Sequence, residues 1–263
     1  IADQGFLDRQ HAIYKLLMRP HQLIEDPELR EIAYNYNPYH HYNYYNVPQH
    51  LIQKYVEQVE QGQILPRGVI FNVLDDAHRQ EMMTLFQLLH QAKDWETFHQ
   101  TAAWARQRVN EYMFVYAYTT ALLHRQDTQD FKIPATYEIL PGNYINHDVL
   151  RQALRNEMGQ NRWAIPMTFA YKYYNPEQRY VAYHAEDVGM GQLHDLFHKQ
   201  FPFWNCQNQE RQGELFHHFI QQTLARYNQA RLSSNLPLVE RMHYFQHHRQ
   251  QPFYYPNGEY EYG

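Results

Sequence analysis

Two histidines, His194 and His198, are four residues apart in a segment with helical periodicity. On a helix this spacing places both imidazoles on one face, at a separation suited to a single metal ion. Two imidazoles rarely hold a transition metal by themselves, and a paired copper centre that binds dioxygen needs three neutral imidazoles on each copper. The pair therefore predicts a metal site only if a third ligand lies nearby.

Histidines further along the chain could supply that ligand. His217 and His218 lie in the next predicted helix, and His243, His247 and His248 follow in the one after it. Because His243 and His247 repeat the four-residue spacing, two facing pairs could hold a metal between helices. The alternative is that these histidines are solvated on polar helix faces, since histidine is common in this chain, with 18 copies.

Hydrolytic and phosphate-binding chemistry finds little support in the sequence. A Gly-x-Ser-x-Gly motif is absent, and serine occurs only at Ser233 and Ser234, at a predicted helix end. Cys206 is expected to be a small buried hydrophobic residue rather than a nucleophile. Neither a Walker loop nor a dinucleotide-binding glycine loop occurs. The sequence therefore predicts no catalytic residue.

The elements that carry these residues are predicted to be helices, because apolar residues recur at helical spacing along most of the chain. Asp26 with Pro27, Pro48, Asp75 and Asp94 mark helix starts, and Gly62 marks an end. The apolar stripe that begins at Asp94 continues to Leu123. Further helices are predicted around Gln192 to Lys199, Gln212 to Ser233 and Leu238 to His248, whereas Thr168 to Tyr183 alternates like extended chain.

The periodicity lapses between Ile133 and Pro141, where prolines and a glycine interrupt it. We therefore predict a mainly α-helical chain of two domains, residues 1–145 and 146–263. Within the first, Tyr34 to Asn46 contains six tyrosines and Pro38 and predicts a loop. No lysine or arginine accompanies these rings, so packing against a partner subunit is favoured over stacking on nucleic-acid bases.

The amino-acid composition of the chain argues against several classes of function. The net charge of -5 comes from well-mixed charges, which argues against a nucleic-acid partner, and no apolar run is long enough for membrane insertion. Residues 1–10 lack the apolar core of a signal peptide, so any leader is expected to have been removed. The 29 glutamines, 16 asparagines and 18 histidines give 63 side chains that carry nitrogen, beside 24 tyrosines and 14 phenylalanines. Such a bulk bias is typical of an amino-acid reserve, although biased codon usage in the host would also produce it.

Several segments together resemble the arthropod hemocyanin superfamily. Leu65-Pro66-Arg67-Gly68, Ala103-Trp104-Ala105-Arg106, Arg108-Val109-Asn110-Glu111 and Leu123-His124-Arg125 are similar to its N-terminal helical domain. Glu186-Asp187-Val188-Gly189, Phe201-Pro202-Phe203-Trp204, Gly213-Glu214-Leu215-Phe216 and Ala225-Arg226-Tyr227 are similar to the first half of its copper domain. The resemblance implies an N-terminal helical domain followed by a partial helical bundle, completed by residues or a chain beyond those given.

The superfamily comprises oxygen-carrying hemocyanins, prophenoloxidases and copper-free hexamerins, and the copper ligands distinguish its branches. The resemblance matches His194 and His198 to two ligands of the first copper, and an ungapped alignment puts Ile220 at the third histidine. Isoleucine has no lone pair, and His217 lies one turn earlier at a different angle on the helix. The resemblance therefore implies a hexamerin of the tyrosine-rich and phenylalanine-rich arylphorin type, with no cofactor and no enzyme activity.

For such a protein the resemblance implies secretion into hemolymph, self-association into a hexamer, contact with the C-terminal remainder of the subunit or a partner chain, and an uptake receptor. The main alternative is a copper-containing hemocyanin or phenoloxidase. The sequence leaves two further alternatives open. One is a carrier of a small hydrophobic ligand between domains, and the other is a cuticle protein that is cross-linked through its tyrosines.

Overall fold

The computed structural model describes residues 3–159, 164–168, 176–205 and 210–240. The chain divides into two compact units, Ile1–Ala135 and Thr136–Gly263, and the division after residue 145 stays a prediction. The described part is helical, as predicted, and its only β-type pairing is an isolated bridge between Tyr45 and Ala92. No helix in these residues is long and apolar enough to cross a membrane.

Six α-helices form the first unit. They are α1 (Gln4–Leu17), α2 (Pro27–Asn35), α3 (Gln49–Glu60), α4 (Asp76–His90), α5 (Trp95–Arg108) and α6 (Glu111–His124). The side chains of Asp26, Asp75 and Asp94 accept hydrogen bonds from backbone N–H groups in the first turns of α2, α4 and α5, so the predicted starts are confirmed. Gly62, in the left-handed region at φ 68°, follows α3 as predicted.

The apolar stripe from Asp94 to Leu123 is not one helix. It is interrupted between α5 and α6 at Val109 and Asn110, both of which are fully buried. Asn110 Oδ1 accepts hydrogen bonds from the N–H groups of Tyr112 and Met113, both at 3.1 Å. Its Nδ2 donates to the carbonyls of Pro66 and Val69 at 2.7 and 2.8 Å. The apolar pattern continues through the break because the break itself lies in the core.

The centre of the first unit is built by α5 and α6, with α2 against α5 and α4 against α6. Trp104 on α5 is almost completely buried and meets the edge of Tyr55 from α3, with ring centroids 6.1 Å apart. Phe98 and Phe114 both stack on Tyr118, at 5.4 and 5.3 Å. Large aromatic rings from α3, α5 and α6 therefore pack together in this core.

Three arginine side chains connect loop backbone to this core through hydrogen bonds. Arg67 and Arg106 donate to backbone carbonyls of Pro20, Val109, Leu16 and Arg19 at 2.7 to 3.0 Å. Burial lowers the pKa of Arg106 to about 10, which still leaves the guanidinium charged at neutral pH. Arg125 fastens the end of α4 in the same way. Arg67, Arg106 and Arg125, which lie in segments that carry the family resemblance, therefore have structural roles here.

The prediction of a loop from Tyr34 to Asn46 was wrong. Tyr34 lies in α2, and a 3-10 helix spans Pro38–Tyr44. Tyr36 and Tyr45 are buried, with their hydroxyls 2.7 Å apart, and the Tyr45 hydroxyl is also 2.5 Å from that of Thr101. Since these two rings belong to the core of the same unit, they are not available to a partner subunit.

The α-helices in the described residues of the second unit are α7 (Thr136–Ile139), α8 (His147–Met158), α9 (Gln178–Ala185), α10 (Val188–Gln200) and α11 (Gln212–Ser233). The predicted helices around Gln192 to Lys199 and Gln212 to Ser233 are confirmed as parts of α10 and α11. The prediction of extended chain to Tyr183 was wrong from Gln178 onwards, where α9 begins, and residues 169–175 lie outside the described residues. In the segment predicted as a helix from Leu238 to His248, residues 238–240 are not helical and the rest lie outside the described residues.

Candidate metal centre

The two histidines at the centre of the metal hypothesis lie together on α10. The Nε2 atoms of His194 and His198 are 2.7 Å apart, within hydrogen-bond distance. Burial lowers the pKa of both imidazoles, and the neighbouring Asp195 carboxylate only partly opposes that shift. Two neutral rings can share this hydrogen bond if one Nε2 carries the proton and the other accepts it. The two Nε2 atoms can therefore be partners to each other.

Phenylalanine rings from α11 lie against this pair. Phe219 stacks on His194 with centroids 5.8 Å apart and on Phe197 at 3.9 Å with an interplanar angle of 4°. Phe216, one turn earlier, has its ring centre 6.1 Å from that of His198. Benzene rings offer no lone pair to a metal, so the surface that faces the histidines is apolar. Sequence reasoning did not identify these two phenylalanines, although their three-residue spacing on a helix was visible.

The position matched to the third copper ligand carries no donor. Ile220 directly follows Phe219, and its side chain is 41% exposed. His217 and His218 are exposed on the same helix, and no group of three histidine, cysteine or acidic side chains in the described part of the chain is placed to hold a metal. His243, His247 and His248 lie outside the described residues. Two hydrogen-bonded imidazoles beside phenylalanine rings do not fit a copper centre that requires three imidazoles.

A buried polar cluster lies next to the histidine pair, and sequence reasoning missed it. Lys199 Nζ donates to Asp195 Oδ2 at 2.7 Å and to Thr136 Oγ1 at 2.9 Å, and the Thr136 backbone N–H donates to Gln192. Burial lowers the pKa of Lys199, while the Asp195 carboxylate opposes that shift. The four-residue spacing of Asp195 and Lys199 was the available signal. The cluster connects α7 to α10 and therefore has a structural role.

The other groups considered for chemistry have structural positions. Ser233 donates to the Gln229 carbonyl at 2.8 Å, and Ser234 donates to that of Tyr180 at 3.2 Å. Asp187 accepts from the Met190 N–H as the cap of α10. Cys206 lies outside the described residues.

Comparison with known proteins identifies both parts of the chain. Residues 6–130 match the family model described as the hemocyanin all-alpha domain, and residues 135–263 match the model of the hemocyanin copper-containing domain. The chain is 32% identical to a hexamerin of Blaberus discoidalis, with 100% of this chain and 36% of the relative covered. It is 31% identical to arylphorin subunit alpha of Manduca sexta, over 89% of this chain and 36% of the relative.

Proteins of other branches are as similar in sequence. The hemocyanin A chain of Panulirus interruptus is 32% identical over 91% of this chain and 37% of its own length. Among solved structures, a scorpion hemocyanin has a TM-score of 0.65 at 27% identity, covering 90% of this chain and 36% of its own. A crustacean hemolymph-type prophenoloxidase has a TM-score of 0.66 at 19% identity over 89% of this chain and 36% of its own, which shows a shared fold alone. The chain spans just over a third of the length of these relatives.

Proposed function

Because the chain belongs to the hemocyanin family, we propose that it acts within a copper-free storage protein of the hexamerin branch. In this proposal the protein accumulates as a hexamer in hemolymph and is later degraded for its amino acids. The observation that carries it is the histidine pair of α10, which has no third imidazole placed beside it among the described residues and lies against Phe219. An oxygen-binding or phenol-oxidising relative needs that imidazole.

The bulk composition supports storage over a role that depends on a few residues. Glutamine, asparagine and histidine together supply 63 side chains that carry nitrogen, and 38 residues are tyrosine or phenylalanine, which makes the chain a dense source of nitrogen and aromatic rings. Among the described residues, seven tyrosine and phenylalanine side chains are buried: Tyr36, Tyr45, Tyr55, Tyr118, Phe86, Phe98 and Phe114. The abundance of the other tyrosines, phenylalanines and nitrogen-bearing residues is explained if the protein serves as a source of these amino acids.

Assembly with further polypeptide is supported by an apolar row on α11. Phe216, Ile220 and Leu224 are four residues apart, which places them on one helix face, and all three are exposed. An exposed row of this size is typical of a surface that another element covers. We propose that the remainder of the subunit, or a partner chain, completes the bundle on this face.

Storage predicts that the atoms of this protein move into other proteins. Feeding nitrogen-15 until the extracellular protein is labelled, and then following a non-feeding stage, should show its abundance falling as label appears in newly made tissue protein. Tracing of a second abundant extracellular protein, without this composition, provides the control. If the labelled protein persists at constant abundance while tissue protein is renewed, storage is the wrong function.

A copper-containing hemocyanin or phenoloxidase is the second candidate. It is favoured by the 32% identity to a hemocyanin chain, equal to that of the first hexamerin relative. The two candidates differ in whether the native assembly retains copper.

A further inference from the structure

A cleft in the first unit lies between α3 and α4, with a volume of about 540 Å³. The segment after α3 also lines it, through Gln63, Ile64 and Leu65. A volume of this size is within the range of small-molecule sites. The cleft belongs to a different unit from the histidine pair and has no role in the function proposed above.

Two polar groups of this cleft are buried without a hydrogen-bond partner among the described residues. They are the hydroxyl of Tyr55 on α3 and Oε1 of Glu81 on α4. Tyr55 is 2% exposed, and the other Glu81 oxygen, Oε2, accepts from the Leu65 N–H at 2.8 Å. Burial raises the pKa of the Glu81 carboxyl and of the Tyr55 hydroxyl. The charge of Glu81 raises the pKa of Tyr55 further, as expected for neighbouring groups. Each unsatisfied buried atom is costly, and Glu81 Oε1 can be satisfied only by a donor, whereas the Tyr55 hydroxyl can both donate and accept.

Two neighbouring polar side chains of the cleft are engaged elsewhere, whereas Lys54 and four glutamines also line it. His78 Nδ1 accepts from the Asn72 N–H at 3.2 Å, and the Thr84 hydroxyl donates to the Gln80 carbonyl at 3.0 Å. The apolar part of the lining comes from Val47, Leu51, Ile52, Ile64, Leu65 and Leu88. A suitable ligand therefore has an apolar body and one head group that donates hydrogen bonds.

We propose that this cleft binds a small primary amine with an apolar body, whose ammonium group donates to Glu81 Oε1 and to the Tyr55 hydroxyl oxygen. An ammonium carries three donors and a positive charge, which compensates the buried carboxylate. An alcohol of the same length supplies one neutral donor. A carboxylate supplies none and is repelled by Glu81.

The test is calorimetric titration of the intact protein at pH 7.5 with n-hexylamine, 1-hexanol and hexanoate. We expect one amine site per chain with a dissociation constant below about 1 mM, at least roughly tenfold weaker binding of hexanol, and no hexanoate binding. Glu81→Gln keeps the size of the side chain and should weaken amine binding by roughly tenfold or more. Tyr55→Phe should weaken it by a smaller factor, and the exposed Glu57→Gln should leave it unchanged.

The three wild-type titrations decide the proposal even if a variant fails to fold. Equal binding of hexylamine and hexanol, or no amine binding, would overturn it. Full amine affinity in a folded Glu81→Gln protein, checked by its thermal midpoint, would also overturn it.

Discussion

Replacing Trp104 with alanine is expected to lower the free energy of unfolding by about 3–5 kcal/mol, the usual cost of emptying a fully buried aromatic site. Trp104 is 1% exposed and lies at the centre of the first unit, where its ring meets Tyr55 and lies under the Arg108 guanidinium, 5.7 Å from the ring centre. These neighbours come from separate turns and helices, so they cannot all move to fill the cavity. Denaturant unfolding followed by circular dichroism measures the loss.

Leu74→Ala is the control for this substitution, because Leu74 is 67% exposed in the same unit. It should change the free energy of unfolding by less than about 0.5 kcal/mol. A loss for Trp104→Ala no larger than that of the control would show that this core is not packed as described.

Replacing Arg125 with methionine is expected to cost about 3–5 kcal/mol, because it leaves three backbone carbonyls without their donor, at about 1–3 kcal/mol for each buried group. Arg125 Nη1 donates to the carbonyls of Leu89, His90 and Ala92 at 3.0, 3.1 and 2.7 Å, at the end of α4, where helical partners run out. Its Nη2 pairs with Asp127 at 2.6 Å. Methionine retains an apolar stem but leaves these carbonyls without a donor. Thermal and denaturant unfolding both report the difference.

Arg19→Met is the matched arginine control. Arg19 forms an exposed ion pair with Glu25 at 3.5 Å, and such pairs contribute little to stability. We expect its unfolding curve to overlay that of the unmodified protein. Equal unfolding curves for Arg125→Met and Arg19→Met would contradict the role assigned to Arg125.

The helix starts could be predicted because the interaction that defines them is local. Asp26, Asp75 and Asp94 each accept from a backbone N–H three residues ahead, so the residue type and the following pattern suffice. The break at Asn110 could not be predicted in this way. Its two donor bonds reach the carbonyls of Pro66 and Val69, more than 40 residues earlier. The periodicity of apolar residues indicates only that the chain is apolar on both sides of the break.

The burial of Tyr36 and Tyr45 was missed for a similar reason. Their hydroxyls are satisfied by each other and by Thr101, which is 56 residues from Tyr45. A tyrosine-rich segment without apolar periodicity gives no indication of such a partner. The lack of lysine and arginine was the reason to disfavour nucleic-acid stacking, and it did not identify the core as the alternative.

At the candidate metal centre, the four-residue spacing predicted that His194 and His198 lie together. It could not predict that they bond to each other or that Phe219 stacks on His194, because both depend on how α10 and α11 pack. The family resemblance drew attention to Ile220, whereas the geometry adds Phe216 and Phe219 as the residues that lie against the pair. Both lines of argument disfavour copper.

The copper content of the purified native assembly, measured by mass spectrometry of the metal together with the mass of the particle, tests the central claim most directly. We predict less than about a tenth of a copper per subunit, because two mutually bonded imidazoles beside phenylalanine rings should not retain the metal. A hexamerin-like particle should also lack the absorption of an oxygen-bound copper pair. About two coppers per subunit would contradict the account and would place the protein with the oxygen-binding or phenol-oxidising branches.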